Sequence, residues 1–261
     1  MPYADINGQR IYYEDSGGDG PPVILAHGFL MDHEMFAPQV AELAPEFRVI
    51  TWDERGFGLT EFDGKPFSYW DSASDCLALL EHLGIEEAVV GGMSQGGFLS
   101  MRAALTAPER VKALVLLDTQ SGKEDEAVID AYRGMQAMWL AEGPVDALTG
   151  PIADLIINHP DENPKWIAKW KARPKEDFLE PSNTLFERDD ITHRLSEITC
   201  PAFIAHGTDD TAITLDLAKQ LREDLPNCVV FIEVEGAAHA ANLTHPDQVN
   251  PPLLEFLREY A

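Results

Sequence analysis

The chain has 261 residues, 45% of them hydrophobic and 25% charged, which is enough for one large core. Its 45 acidic residues outnumber the 19 Lys and Arg residues, giving a formal charge of −26. A surface with this charge repels nucleic-acid phosphates and anionic lipid headgroups, so we predict neither nucleic-acid nor membrane partners.

No segment of the sequence predicts export, a membrane span or a cofactor. No stretch of 18 apolar residues occurs, and the first residues lack the basic and apolar regions of a signal peptide. Cys76, Cys200 and Cys228 cannot all pair and lack metal-binding spacing, so we predict buried free thiols in a reducing compartment. These features favour a cytoplasmic protein without metal or cofactor.

The first 120 residues of the chain alternate between predicted strands and predicted helices. Residues 3–6 and 9–15 flank Asn7-Gly8, a dipeptide typical of two-residue hairpin turns. Continuous apolar runs, typical of strands buried on both faces, follow at 23–26, 47–52, 88–90 and 111–117. Amphipathic patterns between these runs predict helices at 36–43, 70–83 and 95–107. This order predicts a parallel sheet with helices on both faces.

The alternation stops at about residue 120 and resumes near residue 199. The segment 121–198 has no convincing strand but has helix-like stretches at 125–141, 144–158, 162–172 and 184–196. Strands at 202–205 and 229–232 and helices at 214–224 and 246–259 follow. We therefore predict one core domain, residues 1–120 and 199–261, with a helical cap at 121–198 inserted over the ligand-binding edge.

The strongest chemical signal is Gly92-Met93-Ser94-Gln95-Gly96, placed between a predicted strand and a predicted helix. A G-x-S-x-G string at such a junction is typical of a strained turn that presents a nucleophilic serine. The small residues Gly92 and Gly96 leave room for the chain to fold back. We predict that Ser94 is the nucleophile.

A serine hydroxyl needs a general base, and the base needs an acid that fixes its tautomer. His239 lies among small residues between the last strand and the last helix, whereas His245 precedes Pro246 and reads as a helix entry. Asp210 follows Gly207 by three positions, which lets the loop turn first. We predict His239 as base and Asp210 as acid, with Asp209 and Asp118 as alternatives for the acid.

Backbone amides must stabilise the negative oxygen that acyl transfer creates. The residue after the nucleophile, Gln95, should give one N–H. Phe29, which follows His27-Gly28 at the end of an early strand, should give the other. A lone histidine at a strand end is more often structural than a ligand, so we assign His27 no catalytic role.

The predicted cap contains apolar side chains suited to a substrate pocket, although packing of the cap on the core is the favoured interpretation for any single one of them. The residues that we select as pocket lining are Met135, Met138, Trp139 and Trp166. The only basic run of the chain, residues 165–175, lies beside them. It reads as a solvated helix face or as a guide for a carboxylate-bearing substrate.

Together these motifs make the chain resemble the α/β-hydrolase fold superfamily over nearly its whole length. Further matching segments are Trp52 to Gly58 and His206 to Asp210. The resemblance implies eight strands, the second antiparallel, with the cap after the sixth. Segment 53–58 is structural in that family, and Leu59 stands where the family has serine. Among capped members the chain is most similar to esterases, lactonases, cofactor-free haloperoxidases and carbon–carbon bond hydrolases.

We expect a serine hydrolase that cleaves a small carboxylic ester or lactone through an acyl-enzyme on Ser94. Two alternatives stay open. The same triad could cleave a carbon–carbon bond in a ring-fission product, or the fold could serve as a non-catalytic receptor for a small ligand. A homo-oligomer is compatible with the sequence.

Overall fold

The computed structural model describes residues 2–261, and its eight strands form one sheet in the spatial order β1-β2-β4-β3-β5-β6-β7-β8. The strands are β1 Tyr3–Ile6, β2 Gln9–Asp15, β3 Pro22–Ala26, β4 Arg48–Trp52, β5 Ala88–Met93, β6 Val111–Leu117, β7 Ala202–Gly207 and β8 Cys228–Val234. Strand β2 runs antiparallel to both neighbours and all other pairs are parallel. The predicted sheet is confirmed.

The first turn forms as its dipeptide predicts. Asn7 and Gly8 both adopt positive φ, at 50° and 75°. Two successive left-handed residues give the turn whose twist matches that of the flanking strands, so Ile6 pairs with Gln9.

Helices cover both faces of the sheet, as predicted. Those outside the β6–β7 connection are α1 Ala37–Leu43, α2 Tyr69–His82, α3 Gln95–Thr106, α8 Leu215–Asp224, α9 Ala241–Thr244 and α10 Pro246–Tyr260. Alternate residues of β3 enter two separate apolar clusters: Val23 and Leu25 pack on the α1 and α10 side, and Ile24 and Ala26 on the α2 and α3 side. This two-sided burial is the reason for the unbroken apolar runs of the inner strands.

The connection between β6 and β7 contains four α-helices, at the position where the insertion was predicted. They are α4 Glu126–Glu142, α5 Asp146–Ile156, α6 Asn163–Ala172 and α7 Leu179–Phe186. Apolar side chains from α4, α5 and α6 join the cluster on the α1 side of the sheet. The division into a core and a cap domain remains a prediction.

The predicted helix at 184–196 is wrong. Helix α7 ends at Phe186, and a short 3-10 helix, Thr192–Glu197, follows after an irregular stretch. The Asp190 side chain accepts a hydrogen bond from the N–H of Thr192 at 2.8 Å. Such a local side-chain bond competes with helical hydrogen bonding and favours a new start.

The three cysteines differ in environment, although all are free thiols. Cys76 is buried, and burial raises the pKa of its thiol above the ordinary value. Cys200 and Cys228 are only half-buried, which corrects the prediction that all three are buried. Within residues 2–261, no helix combines the length and the apolar character needed to cross a bilayer.

Candidate active site

Ser94 lies on the turn between β5 and α3, with φ 53° and ψ −112°. A positive φ is strained for a residue with a side chain, and close packing of the surrounding chain holds it. A Cβ atom on Gly96 would lie 1.9 Å from the carbonyl oxygen of Ala26, and one on Gly92 would lie 2.4 Å from the same oxygen. The two glycines therefore let the turn press against β3.

Replacing Gly96 with alanine is expected to lower the free energy of unfolding by about 3 kcal/mol or more. The new methyl group meets a backbone oxygen of a central strand, which cannot move aside. Urea unfolding measures the effect, with Gly134→Ala as the matched control. Gly134 lies in α4 with open space at the Cβ position, so its replacement should be neutral or slightly stabilising. Equal stability of the two variants would contradict this account of the turn.

The structure brings the three predicted catalytic side chains together. The hydroxyl oxygen of Ser94 lies 2.9 Å from Nε2 of His239, and Nδ1 of His239 lies 2.7 Å from Oδ2 of Asp210. The carboxylate accepts from Nδ1–H, which leaves Nε2 as an acceptor for the serine hydroxyl. All three residues are buried, with exposures of 4–6%.

The charges around His239 favour its role as a base. Burial, the largest influence, lowers the pKa of the imidazole, but the charge and hydrogen bond of Asp210 raise it by more, so the net pKa is raised. Burial acts against ionisation of Asp210, yet His239 and His206 together hold the pKa of this carboxyl well below its usual range. Asp210 is therefore a carboxylate that stabilises a protonated imidazole.

Neither alternative acid reaches His239 by a hydrogen bond. Asp209 is exposed, and within residues 2–261 its carboxylate accepts only from the hydroxyl of Thr208. Asp118 is fully buried and accepts from the N–H of Gly207 at 2.8 Å and of Ala241 at 3.0 Å. It thus ties the loop of the acid to the loop of the base. Burial raises the pKa of Asp118 to about 7.

The carboxylate of Asp210 has further partners that the sequence did not indicate. Its Oδ1 accepts from the N–H groups of Ala212 and Ile213, at 2.8 and 3.0 Å. Nε2 of His206 lies 3.2 Å from Oδ2 of Asp210 and 2.7 Å from the carbonyl oxygen of Ile213. These contacts fix the orientation of the acid, and a His-Gly pair at the end of β7 is the only sequence signal for them.

The two predicted amide donors belong to different elements: Phe29 follows β3, and Gln95 is the first residue of α3. The N–H of Gln95 begins α3, and the first N–H groups of a helix have no acceptor within it. The Phe29 N–H has no hydrogen-bond acceptor within residues 2–261. Both amides are thus free for an oxyanion.

His27 holds the peptide that carries the Phe29 N–H. Its Nε2 accepts from the N–H of Glu54 at 3.0 Å, so Nδ1 carries the proton and donates to the carbonyl of Gly28 at 2.8 Å. That carbonyl and the Phe29 N–H belong to one peptide group. Burial lowers the pKa of His27, which keeps the ring neutral. His27 therefore has a structural role, which is to hold the Gly28–Phe29 peptide in place.

A buried side-chain network fixes the other donor residue. The amide of Gln95 donates to Glu54 at 3.0 Å and accepts from the hydroxyl of Tyr69 at 3.2 Å. Burial raises the pKa of Glu54 well above its ordinary value. A neutral acid beside Gln95 adds no negative charge behind the expected oxyanion.

Two cavities meet at Phe29 and Leu30. The first, of about 90 Å³, contains Ser94 and His239, and we name it the catalytic cavity. The second, of about 260 Å³, shares Phe29 and Leu30 with the first but is not lined by Ser94 or His239, and we name it the outer cavity.

The four predicted pocket residues fall in different places. Met135 lines the catalytic cavity, whereas Trp139 lines the outer one, where it stacks on Phe178 with ring centroids 4.5 Å apart. Met138 is 45% exposed and Trp166 is buried in the apolar cluster, and both lie outside the two cavities. These two placements correct the prediction. Successive residues of an α-helix point about 100° apart, so Met138 faces solvent while its neighbour Trp139 is buried.

Most cations of the basic run are neutralised within the protein. Lys169 pairs with Asp32 at 2.7 Å and Glu34 at 2.8 Å, and Arg173 donates to the carbonyls of Gly56 and Gly58. Lys171 pairs with Asp146. These contacts favour the interpretation of the run as a helix face that balances nearby acids.

Comparison with known proteins agrees with this fold. The family model described as alpha/beta hydrolase fold matches residues 21–149. A relative in Azorhizobium caulinodans named "Putative carbamate hydrolase RutD" is 30% identical, with 99% of each chain covered. A Synechocystis relative named "Putative non-heme chloroperoxidase" is 31% identical, with 99% of this chain and 100% of the relative covered.

Solved structures give the same result. A thermophilic esterase from Thermogutta terrifontis has a TM-score of 0.89 at 26% identity, with 99% of this chain and 97% of that chain covered. The enol-lactonase from Burkholderia xenovorans LB400 has a TM-score of 0.90 at 25% identity, with 98% and 100% covered. The chain belongs to the α/β-hydrolase fold family, a family of hydrolases.

Proposed function

We propose that this protein is a serine hydrolase that cleaves a small carboxylic ester or lactone through an acyl-enzyme on Ser94. The observation that carries the proposal is the chain of two short contacts from the Ser94 hydroxyl through His239 to Asp210. Nucleophile, base and acid stand in the order and geometry that nucleophilic acyl transfer requires.

In the first half-reaction, Nε2 of His239 takes the hydroxyl proton while the Ser94 oxygen attacks the carbonyl carbon. The carbonyl oxygen becomes negative and accepts hydrogen bonds from the N–H groups of Phe29 and Gln95. When the tetrahedral intermediate collapses, the carbon–oxygen bond to the alcohol breaks, and His239 returns the proton to the leaving oxygen. In the second half-reaction, water replaces the alcohol and the same steps release the acid.

The size of the catalytic cavity supports a small substrate. Its volume of about 90 Å³ is below the roughly 300 Å³ at which drug-sized pockets begin. Apart from Ser94 and His239, most lining side chains are apolar, among them Phe98, Ile152 and Ile156. A short acyl group fits this lining better than a long one.

Carbamate hydrolysis is the second candidate. It is favoured by the whole-length similarity to the Azorhizobium relative and uses the same attack on a carbonyl carbon. Carbon–carbon bond cleavage and a receptor role remain the outcomes to expect if ester and carbamate turnover both fail.

The proposal is tested with a fluorophosphonate label and a panel of p-nitrophenyl esters, lactones and carbamates. We expect one phosphonyl group per chain, located by mass spectrometry on the peptide containing Ser94, and the fastest turnover with acetate or butanoate esters. Labelling without turnover of any panel member would favour the receptor or the carbon–carbon hydrolase. Labelling elsewhere, with Ser94 unmodified, would contradict the proposal.

Truncating Phe29 to alanine is expected to relax the preference for short acyl groups. Phe29 lines both cavities, and its N–H remains when the side chain is truncated. We expect the ratio of kcat/KM for p-nitrophenyl octanoate to that for butanoate to rise about tenfold, because several methylenes gain an apolar space. Leu59→Ala is the control, since Leu59 lines only the outer cavity. An unchanged ratio in Phe29→Ala would show that acyl chains do not pass this point.

A further inference from the structure

The wall of the catalytic cavity is apolar except at the catalytic residues and at one cluster. Glu124, Tyr132 and Arg188 line the same cavity as Ser94 and His239. An ionic pair in an apolar wall contributes little to stability on balance, because removing charges from water costs about as much as their attraction returns. The cluster therefore calls for an account other than stability.

Arg188 is almost fully buried, and each of its three side-chain nitrogen atoms donates a hydrogen bond within the protein. Its side chain is 1% exposed, and it donates to the carbonyl of Gly122 at 3.0 Å, to that of Leu185 at 3.1 Å and to Oε1 of Glu124 at 2.9 Å. The guanidinium also lies over the ring of Phe98, 4.6 Å from its centroid. Arg188 acts as a buried support that orients Glu124.

The donors to Glu124 converge on one of its two oxygens. Arg188 and the Gln120 amide, at 2.8 Å, both donate to Oε1. The hydrogen bonds to the Glu124 carboxylate within residues 2–261 are both on Oε1, and the side chain is 16% exposed. Glu124 lines the cavity, and a carboxylate held through one oxygen keeps the other available as an acceptor.

Tyr132 adds a hydroxyl to the same wall. Its ring stacks on Phe186 at 5.9 Å, and its hydroxyl has no partner in the part of the chain that the structure describes. Burial, with the nearby charge of Glu124, raises the pKa of this hydroxyl, so it keeps its proton. It can donate to or accept from a bound molecule.

We propose that Glu124 and Tyr132 form a polar subsite that binds a hydrogen-bond donor on the substrate, such as a hydroxyl, amide or ammonium group, away from the scissile carbonyl. This inference rests on the proposed function and names the substrate class: a small ester that carries a second, donor-bearing polar group. A purely aliphatic ester leaves the Glu124 oxygen facing methyl groups, which costs the free energy of desolvating it.

Two pairs of esters that differ only by CH₃ against OH test the subsite. Ethyl butanoate and ethyl 3-hydroxypropanoate differ in the acyl part, and propyl acetate and 2-hydroxyethyl acetate differ in the alcohol part. In Glu124→Gln the amide oxygen must face Arg188 and Gln120, so the NH₂ group replaces the Oε2 acceptor with a donor. The measurement is the hydroxyl-to-methyl ratio of kcat/KM for each pair.

We expect this ratio to fall about tenfold in Glu124→Gln for at least one pair. In Tyr132→Phe the same ratio should fall about threefold, which tests the subsite again should the first variant not fold. Glu126→Gln is the matched control, because Glu126 is an exposed neighbour outside the cavity, and its ratios should equal those of the wild type. Equal ratios in wild type and Glu124→Gln for both pairs would overturn the subsite.

Failure of the subsite is distinguishable from failure of the proposed function. Ser94-dependent hydrolysis of all four esters, with ratios unaffected by Glu124→Gln, contradicts the subsite alone. Absence of any Ser94-dependent hydrolysis contradicts the proposed function. In that case the binding of 3-hydroxypropanamide and butanamide is measured by calorimetry. If Glu124→Gln loses affinity for the hydroxyl compound alone, the subsite is supported. If wild type and Glu124→Gln bind the hydroxyl compound with equal affinity, the subsite is overturned.

Discussion

Replacing Ser94 with alanine is expected to lower kcat for the best ester of the panel by about 10⁵- to 10⁶-fold. The variant removes the only oxygen that accepts the acyl group, and neither His239 nor the backbone amides can substitute for it. KM should change little, because the hydroxyl contributes to the transition state more than to substrate binding. The measurement is single-turnover and steady-state hydrolysis of a p-nitrophenyl ester.

Ser100→Ala is the matched control. Ser100 is a buried serine of α3, the helix that follows Ser94, and its hydroxyl donates to the carbonyl of Gly96 at 2.6 Å. Its loss removes a hydrogen bond near the site but no reacting atom, so activity should stay within about threefold of the wild type. A Ser94→Ala enzyme that keeps a tenth of the wild-type kcat would show that another group performs the attack.

Replacing Asp210 with asparagine is expected to lower kcat by about 10⁴-fold. The amide has nearly the shape of the carboxylate but can donate to Nδ1 of His239, which places the imidazole proton on Nε2. A protonated Nε2 cannot accept the proton of Ser94. Deletion of the carboxylate charge also removes the main stabilisation of the imidazolium.

The same variant should change the pH profile in a defined direction. The base must be neutral, so kcat/KM rises as pH increases through the pKa of His239. Asp210 raises that pKa in the wild type. Its replacement therefore lowers the pKa, and the acidic limb of the profile should move to lower pH. A limb that stays in place would show that Asp210 does not face the base during turnover.

The variant Asp118→Asn tests whether Asp118 acts as the acid of the triad or only connects the loops that carry Asp210 and His239. An asparagine at position 118 has one side-chain oxygen, so it can accept from the N–H of Gly207 or of Ala241 but not from both. We therefore expect a loss of about 1–3 kcal/mol in the free energy of unfolding. Its kcat should fall far less than that of Asp210→Asn. The reverse order of the two variants would transfer the role of acid to Asp118.

Local sequence patterns were enough for elements that depend on local chemistry. The turn at Asn7-Gly8, the apolar strands and the serine turn all follow from short-range rules on φ, burial and spacing. The same rules placed α4 to within one residue at each end. They were wrong at residues 184–196, where aspartate side chains and contacts with the core decide how the chain runs.

Other features could not be read from one-dimensional patterns. In the sheet, β3 lies between β4 and β5, and its pairing with β5 places it beside the serine turn. This strand order depends on pairing between residues far apart in the chain. Met138 was selected as pocket lining for its apolar side chain, but the direction of a helix face depends on what the helix packs against. The role of His27 also depends on a long-range contact, because the N–H of Glu54, 27 residues away, fixes the tautomer of the His27 ring.

The sequence by itself determined the fold family and indicated Ser94 and His239, with three aspartates open as the acid, because glycine spacing and strand ends constrain where such residues can stand. The tertiary structure decided between Asp210, Asp209 and Asp118 as partner of His239, and it separated the catalytic cavity from the outer one. Both depend on distances between residues far apart in the chain. Such distances are set by the packing of whole elements, for which no local pattern in the sequence is sufficient.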